Sequence, residues 1–264
     1  SDVYEGQGYG SRRRWFRMCL GSKALSSSGA KLTQIAIERH PSPNFGQRRG
    51  VKGPSLIVLH YTAMPSLEAA LERLSDPKHE VSAHYLIDQQ GGVIQLVAEA
   101  QRAWHAGAGS WGAYHDINSA SIGVELCNAG NHGFSVLQME GLKALLGEVK
   151  QRWAISADKV IGHSDMAPDR KKDPGRLFDW QCLALDGLAI FRGQAHALTL
   201  PFPEAARKFG YLIPSLAYED DTYQAIVLEA FRQRFRPEAY GPLDDQDIQI
   251  LSDLAQSYPA VVEP

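Results

Sequence analysis

Residues 55–61 read Ser-Leu-Ile-Val-Leu-His-Tyr, and four consecutive large aliphatic side chains sit at the centre of that run. A strand points successive side chains to opposite faces, so an unbroken apolar run must be covered on both sides. That requirement selects a central strand of a layered α/β protein over an exposed antiparallel ribbon. It also puts His60 at the strand's C-terminal end, where the buried run gives out.

The rest of the first two thirds supplies the covering layers. Residues 67–74 have helical spacing, with Ser66 as the N-cap. Residues 81–88 form a second strand, turned by Gly91-Gly92 into a third at 93–97. A fourth strand follows at 121–127. Residues 135–153 form a long helix with Leu137, Leu142, Leu145, Leu146 and Val149 on its apolar face. A short strand at 160–162 then leads into a loop at His163. This alternation predicts an α/β fold: a mixed central β-sheet flanked by helices.

Three segments lie outside that pattern. Residues 1–30 are rich in Gly, Ser and Arg without a sustained period and are expected to be an N-terminal arm. The prolines at 41 and 43 make a loop of residues 40–46. Past about residue 195, Pro201, Pro203 and Pro214 break the chain. Three helices are then expected, near 204–209, 220–235 and 244–258. They predict a small all-α three-helix C-terminal domain that leans on the first domain. The expected divisions are therefore 1–30, 31–195 and 196–264.

Charge and composition narrow the function classes. A net charge of −3 lacks the basic excess of a nucleic-acid binder. No 18-residue apolar stretch occurs, so no membrane-spanning helix is expected. Arg12, Arg13 and Arg14 are followed by no apolar run of signal-peptide length, so either the chain is not exported or its signal was removed. Cys19, Cys127 and Cys182 are too few and too odd in number to imply a disulfide framework.

A hydrolytic zinc site needs three protein ligands and one open position. His60 at one strand end and His163 at another are suitable. Asp173 lies a loop's length past His163 and can fold back toward it. A strand-end histidine is more often a hydrogen-bonded core residue, and nine histidines allow many false triples, so spacing alone does not decide the matter.

Five segments in one order do more. Val58-Leu59-His60-Tyr61-Thr62, Val81-Ser82-Ala83-His84-Tyr85-Leu86-Ile87, Ala103-Trp104-His105-Ala106-Gly107, Ser121-Ile122-Gly123-Val124-Glu125-Leu126 and Gly162-His163-Ser164-Asp165 precede Arg170-Lys171-Lys172-Asp173-Pro174-Gly175. Together, over residues 40–190, they resemble the type-2 N-acetylmuramoyl-L-alanine amidases, which are similar in fold to phage T7 lysozyme and animal peptidoglycan recognition proteins. The C-terminal third resembles the longer, AmiD-like branch, whose extra helical domain is similar to peptidoglycan-binding modules.

The resemblance implies one Zn²⁺ held by His60, His163 and Asp173, with Glu125 and Lys171 catalytic. It implies hydrolysis of the amide between the lactyl group of (anhydro-)N-acetylmuramic acid and L-alanine of the stem peptide, with peptidoglycan or a muropeptide as partner. The alternative is a non-catalytic peptidoglycan-binding protein of the same fold, whose usual mark is a replaced zinc ligand; none is replaced here. The residues agree with the chemistry. Ile122, Val124 and Leu126 face one way, leaving Glu125 on the opposite side as a general base. An ammonium at Lys171 would stabilise charge developing on the carbonyl oxygen. Read without the resemblance, Glu125 is more readily an outward strand carboxylate and Lys171 a solvated loop charge.

Trp104, His105 and Asn118 are expected to bind substrate. Trp111 and His115 are candidates for the groove by position only. His84 reads as a core histidine. Cys127, on the same face as Glu125, is a fourth ligand or a buried filler, the filler being the better reading. The helical domain suggests the bacterial cell envelope or periplasm. Oligomeric state is not specified.

Overall fold

The fold is built around the apolar run at residues 55–61. In the computed structural model, which describes residues 35–213, 216–217 and 220–260, that run is strand β3 (Leu56–Tyr61). Leu56, Ile57, Val58 and Leu59 have no exposed surface. The N-terminal arm expected at 1–30 and Cys19 lie outside the described residues.

Around β3 lie β1 (Ile37–Arg39), β4 (Tyr85–Ile87), β5 (Val93–Gln95), β7 (Ser121–Leu126) and β8 (Val160–Gly162), in the sheet order β1-β5-β4-β7-β3-β8. Only the β4–β5 pair is antiparallel; the other four are parallel. A second, two-stranded antiparallel sheet joins β2 (Phe45–Gln47) to β6 (Gln101–Ala103). The mixed α/β architecture expected from the sequence is therefore the observed one. The predicted strand at 81–88 is shorter than expected: residues 81–84 carry no ladder of their own. Ser82 instead serves the loops through its hydroxyl, which donates to Asn44 O and accepts from Trp104 N–H.

Helix α1 (Leu67–Ser75) starts where expected, with the Ser66 hydroxyl accepting from Ala69 N–H. It covers a small apolar cluster that includes Ala70, Leu74, Leu86, Ile94 and Cys127. A short helix, α2 (Ile117–Ala120), precedes β7. Helix α3 (Val136–Trp153) is capped by Ser135 and lies against β4 and β5. Leu142, Leu145, Leu146 and Val149 are fully buried, but Leu137 is 55% exposed and does not belong to the apolar face assigned to it. It falls one position after the helix start, before the buried stripe is established.

Helices α4 (His163–Met166) and α5 (Trp180–Leu185) follow β8. The three C-terminal helices are α6 (Phe202–Phe209), α7 (Asp221–Phe235) and α8 (Asp245–Ser257). They share one apolar cluster with the sheet: Leu56, Val58 and Ile161 belong to it, and so do Phe209, Tyr211, Phe231 and Phe235. The described residues from 36 onward accordingly form a single compact unit. Trp111, proposed from position as a groove residue, is a core residue instead. It is 2% exposed and stands edge-on to Phe209 and Tyr211.

Asp165, in α4, ties the C-terminal helices to the sheet. Its carboxylate accepts from Gly162 N–H at 2.8 Å, Arg234 Nη1 at 2.7 Å and the Tyr211 hydroxyl at 2.8 Å. Arg234 also donates to Val160 O and lies 4.2 Å over the Trp180 ring.

Candidate active site

Three neighbouring parallel strands deliver the site. In register, His60 of β3 stands beside Glu125 of β7, and Leu59 stands beside Gly162 of β8. The residue after Gly162 is His163, so two imidazoles and a carboxylate converge at the carboxyl ends of adjacent strands. Parallel sheets place ligand sites at such ends. Paired positions share a face, so Glu125 and His60 point the same way while Ile122, Val124 and Leu126 are buried on the other.

The loop after α4 brings in the rest. Ser164 N–H donates to Asp173 O at 2.9 Å, which doubles the chain back on itself. His60 Nδ1 and His163 Nδ1 are 2.9 Å apart, and Asp173 Oδ2 is 3.0 Å from the first and 2.9 Å from the second. All three residues are buried, and among the described residues they are the group able to hold a metal ion. Cys127 is not part of that group; it lies in the cluster under α1 as a filler.

The donor set fits a zinc ion. Two imidazole nitrogens and one carboxylate oxygen are the ligand types of an open, three-ligand hydrolytic site. A tetrahedral ion with bonds of 2.0–2.2 Å spaces its ligands by roughly 3.3–3.6 Å. The observed triangle is tighter by a few tenths of an ångström, a difference that a small ring rotation absorbs. A second observation points the same way. Glu125 Oε2 is shielded from solvent beside this triangle and has no hydrogen-bond partner among the described residues, which leaves a buried lone pair free for a reacting group.

Electrostatics separate the two carboxylates. Burial, reinforced by the Asp173 charge, pushes Glu125 up to about 8. Burial would also raise Asp173, but the His163 and His60 rings outweigh it and hold that carboxyl well below its usual range. Burial and the neighbouring His163 ring lower His60 to about 4, keeping it neutral and able to ligate.

These groups open into a cleft of about 500 Å³. Trp104, His105 and Lys171 line it, together with Tyr61, Arg73, Arg170 and Lys172. Two positions assigned to substrate contact have other surroundings. Asn118 is 7% exposed and turns its Oδ1 to the N–H groups of His105 and Ala106, both at 2.9 Å. His105 reaches the cleft, yet both its ring nitrogens contact protein groups, His60 Nε2 and Ser121 Oγ. His115 is exposed in its loop and is not among the cleft residues. His84 is a satisfied core histidine, as expected: its Nδ1 accepts from Gly123 N–H, and its Nε2 meets Gln101 O.

A family profile described as N-acetylmuramoyl-L-alanine amidase matches residues 50–176. The N-acetylmuramoyl-L-alanine amidase AmiD of Escherichia coli K12 is 32% identical over 228 residues, covering 75% of this chain and 80% of AmiD. The chain belongs to the type-2 N-acetylmuramoyl-L-alanine amidase family, in its AmiD-like branch. Two solved structures extend the likeness beyond the profile. E. coli AmiD, in complex with its substrate anhydro-N-acetylmuramic acid-L-Ala-D-γ-Glu-L-Lys, superposes with a TM-score of 0.69 at 30% identity, covering 80% of this chain and 93% of that one. Pseudomonas aeruginosa AmpDh3, in complex with anhydromuramic pentapeptide, gives a TM-score of 0.69 at 33% identity, covering 80% and 96%. Both likenesses cover more of this chain than the profile's span.

The sequence missed the roles of Ser121, Asn118 and Asp165. The signal available was a small or polar residue interrupting an apolar strand or preceding it, which spacing alone does not tie to a partner.

Proposed function

We propose that this protein is a zinc-dependent N-acetylmuramoyl-L-alanine amidase that hydrolyses the amide between the lactyl group of (anhydro-)N-acetylmuramic acid and L-alanine of the stem peptide. The observation that carries the reading is the buried triangle of His60 Nδ1, His163 Nδ1 and Asp173 Oδ2 beside the unpartnered Oε2 of Glu125. Family membership and the muropeptide complexes of AmiD and AmpDh3 support the same substrate class.

His60, His163 and Asp173 hold the ion. Zinc, when bound, supplies Lewis acidity that polarises a carbonyl and acidifies water. Glu125 takes a proton at Oε2 from the attacking water and returns it to the alanine nitrogen as the carbon–nitrogen bond breaks. Burial raises that carboxyl above its usual range, which makes its carboxylate a stronger base. Lys171, on the cleft rim, offers its ammonium to the oxygen that gains charge. Trp104 contributes an aromatic wall, and Arg73, Arg170 and Lys172 give the cleft a cationic rim suited to the stem peptide's carboxylates.

Residues 196–264 serve as a wall-binding unit built onto the amidase body at 31–195, and the cell envelope is the compartment in which that combination works. No helix of the described residues is long and apolar enough to cross a membrane.

Metal content of the purified protein and the products released from sacculi and from soluble anhydro-muropeptide test the reading together. One zinc per chain and free stem peptide are expected. Wall binding without metal or stem-peptide release would establish the non-catalytic alternative.

A further inference from the structure

A second cavity, of about 220 Å³, adjoins the catalytic cleft, and Tyr61 and Lys172 line both. Clefts that enclose a whole drug-sized ligand run from roughly 300 Å³ upward. The second cavity therefore has room for one unit of a larger substrate. The loop after β7, with Asn128 and Gly130, forms one side of it. Helix α7 forms another through Glu229 and Gln233, so a C-terminal helix helps to build a recess next to the metal triangle.

Gln233 calls for a ligand. It is 5% exposed, lines the cavity, and its amide makes no hydrogen bond to a described residue. A buried carboxamide left with open donors and an open acceptor costs free energy, and here the partner can enter only from the cavity. Nearby charge is already matched. Arg176 donates to Glu229 at 2.6 Å and to the carbonyl oxygens of Pro237 and Ala239, both at 3.0 Å. The Tyr61 ring stands between two glycines: a Cβ at Gly130 would fall 2.9 Å from its Cζ, and one at Gly175 would fall 3.7 Å from its Cε1. The cavity thus offers an aromatic ring and an unpaired amide, with its Arg176–Glu229 charges cancelled.

The proposed substrate has two arms that part at the scissile amide. The amine arm is the stem peptide, whose carboxylates suit the cationic rim at Arg73 and Arg170. The acyl arm leads through the lactyl group to the muramic acid ring, where hydroxyls and an acetamide ask for hydrogen bonds and a flat apolar face. The second cavity supplies those, on the far side of Tyr61 and Lys172 from the cationic rim.

We propose that this cavity is the subsite for the N-acetylated muramic acid ring, with Gln233 of α7 a specificity-determining residue that pairs with the ring's acetamide. The C-terminal helices then take part in choosing the bond to be cut, in addition to holding the wall. The proposal rests on the amidase reading for the position of the scissile bond.

Its test compares two substrates: anhydro-N-acetylmuramic acid-L-Ala-D-γ-Glu-L-Lys, and the lactyl-L-Ala-D-γ-Glu-L-Lys that lacks the ring. The wild type should favour the first in kcat/KM. Gln233→Met, which keeps the side chain's length, should reduce that preference about 2–10-fold, the worth of a neutral hydrogen bond. Gln233→Leu repeats the test with a second apolar side chain should the first variant not fold. No preference in the wild type, or an undiminished preference in the folded variants, would overturn the proposal. Should the wild type cleave neither substrate, the amidase reading fails, and saturation-transfer spectra with free N-acetylmuramic acid decide the subsite. Transfer seen with the wild type and lost with Gln233→Met would support it; transfer absent from the wild type, or equal in the two, would overturn it.

Discussion

Asp165 is buried and Glu125 partly so, with its Oε2 shielded, and their surroundings could hardly differ more. Asp165 is fully enclosed, and its two oxygens take up a backbone N–H, a guanidinium and a phenol. Glu125 lines the cleft, and its Oε2 has no partner among the described residues. The first arrangement ties the carboxylate into the scaffold. The second raises the carboxyl and leaves it ready to exchange a proton. Burial with every lone pair satisfied marks structure, and burial with one lone pair withheld marks chemistry.

Breaking the scaffold side should have the largest effect. Arg234→Met leaves Asp165 charged and enclosed, and unfolding by denaturant should show a loss of about 3–5 kcal/mol. Replacing Asp165 and Arg234 together by apolar residues should recover part of it, because the uncompensated charge is gone. A loss below about 1 kcal/mol for Arg234→Met would mean that the two regions do not differ as described.

On the chemical side, Glu125→Gln should lower turnover on muropeptide by about 10²–10⁴-fold, the usual contribution of a positioned acid–base group. Zinc content should stay near wild type, because Glu125 is not among the candidate ligands. Near-normal turnover would remove Glu125 from the mechanism.

The effect that is smallest when read per pH unit sharpens the comparison further. Glu125 has its folded value raised from 4.5 to about 8. Its protonated form is thus favoured on folding: the contribution is complete below about 4.5 and is lost as pH rises toward 8. Metal-free wild type should therefore lose stability relative to Glu125→Gln between those limits, by at most about 1.4 kcal/mol for each pH unit. Parallel stability curves for the two proteins would show that Glu125 is not raised.

Much of the fold was legible because its signals are local. The unbroken apolar run at residues 55–61 demanded a covered strand, and Ser66 and Ser135 marked helix starts within a residue of where they fall. The C-terminal helices were legible as helices, but not as co-owners of the sheet's core. Trp111 was misread for that reason: an aromatic in a loop looks free until Phe209 and Tyr211 are set against it.

What the sequence by itself determined is the set of strands and helices and the short list of groups competent for metal and proton chemistry, since periodicity and side-chain chemistry are properties of neighbouring residues. Tertiary structure alone decided which histidines share a point, which nitrogen of each faces it, and which buried carboxylate goes unpartnered. Those depend on strand register and on hydrogen bonds between segments far apart in the chain, and their energies exist only once the segments have met.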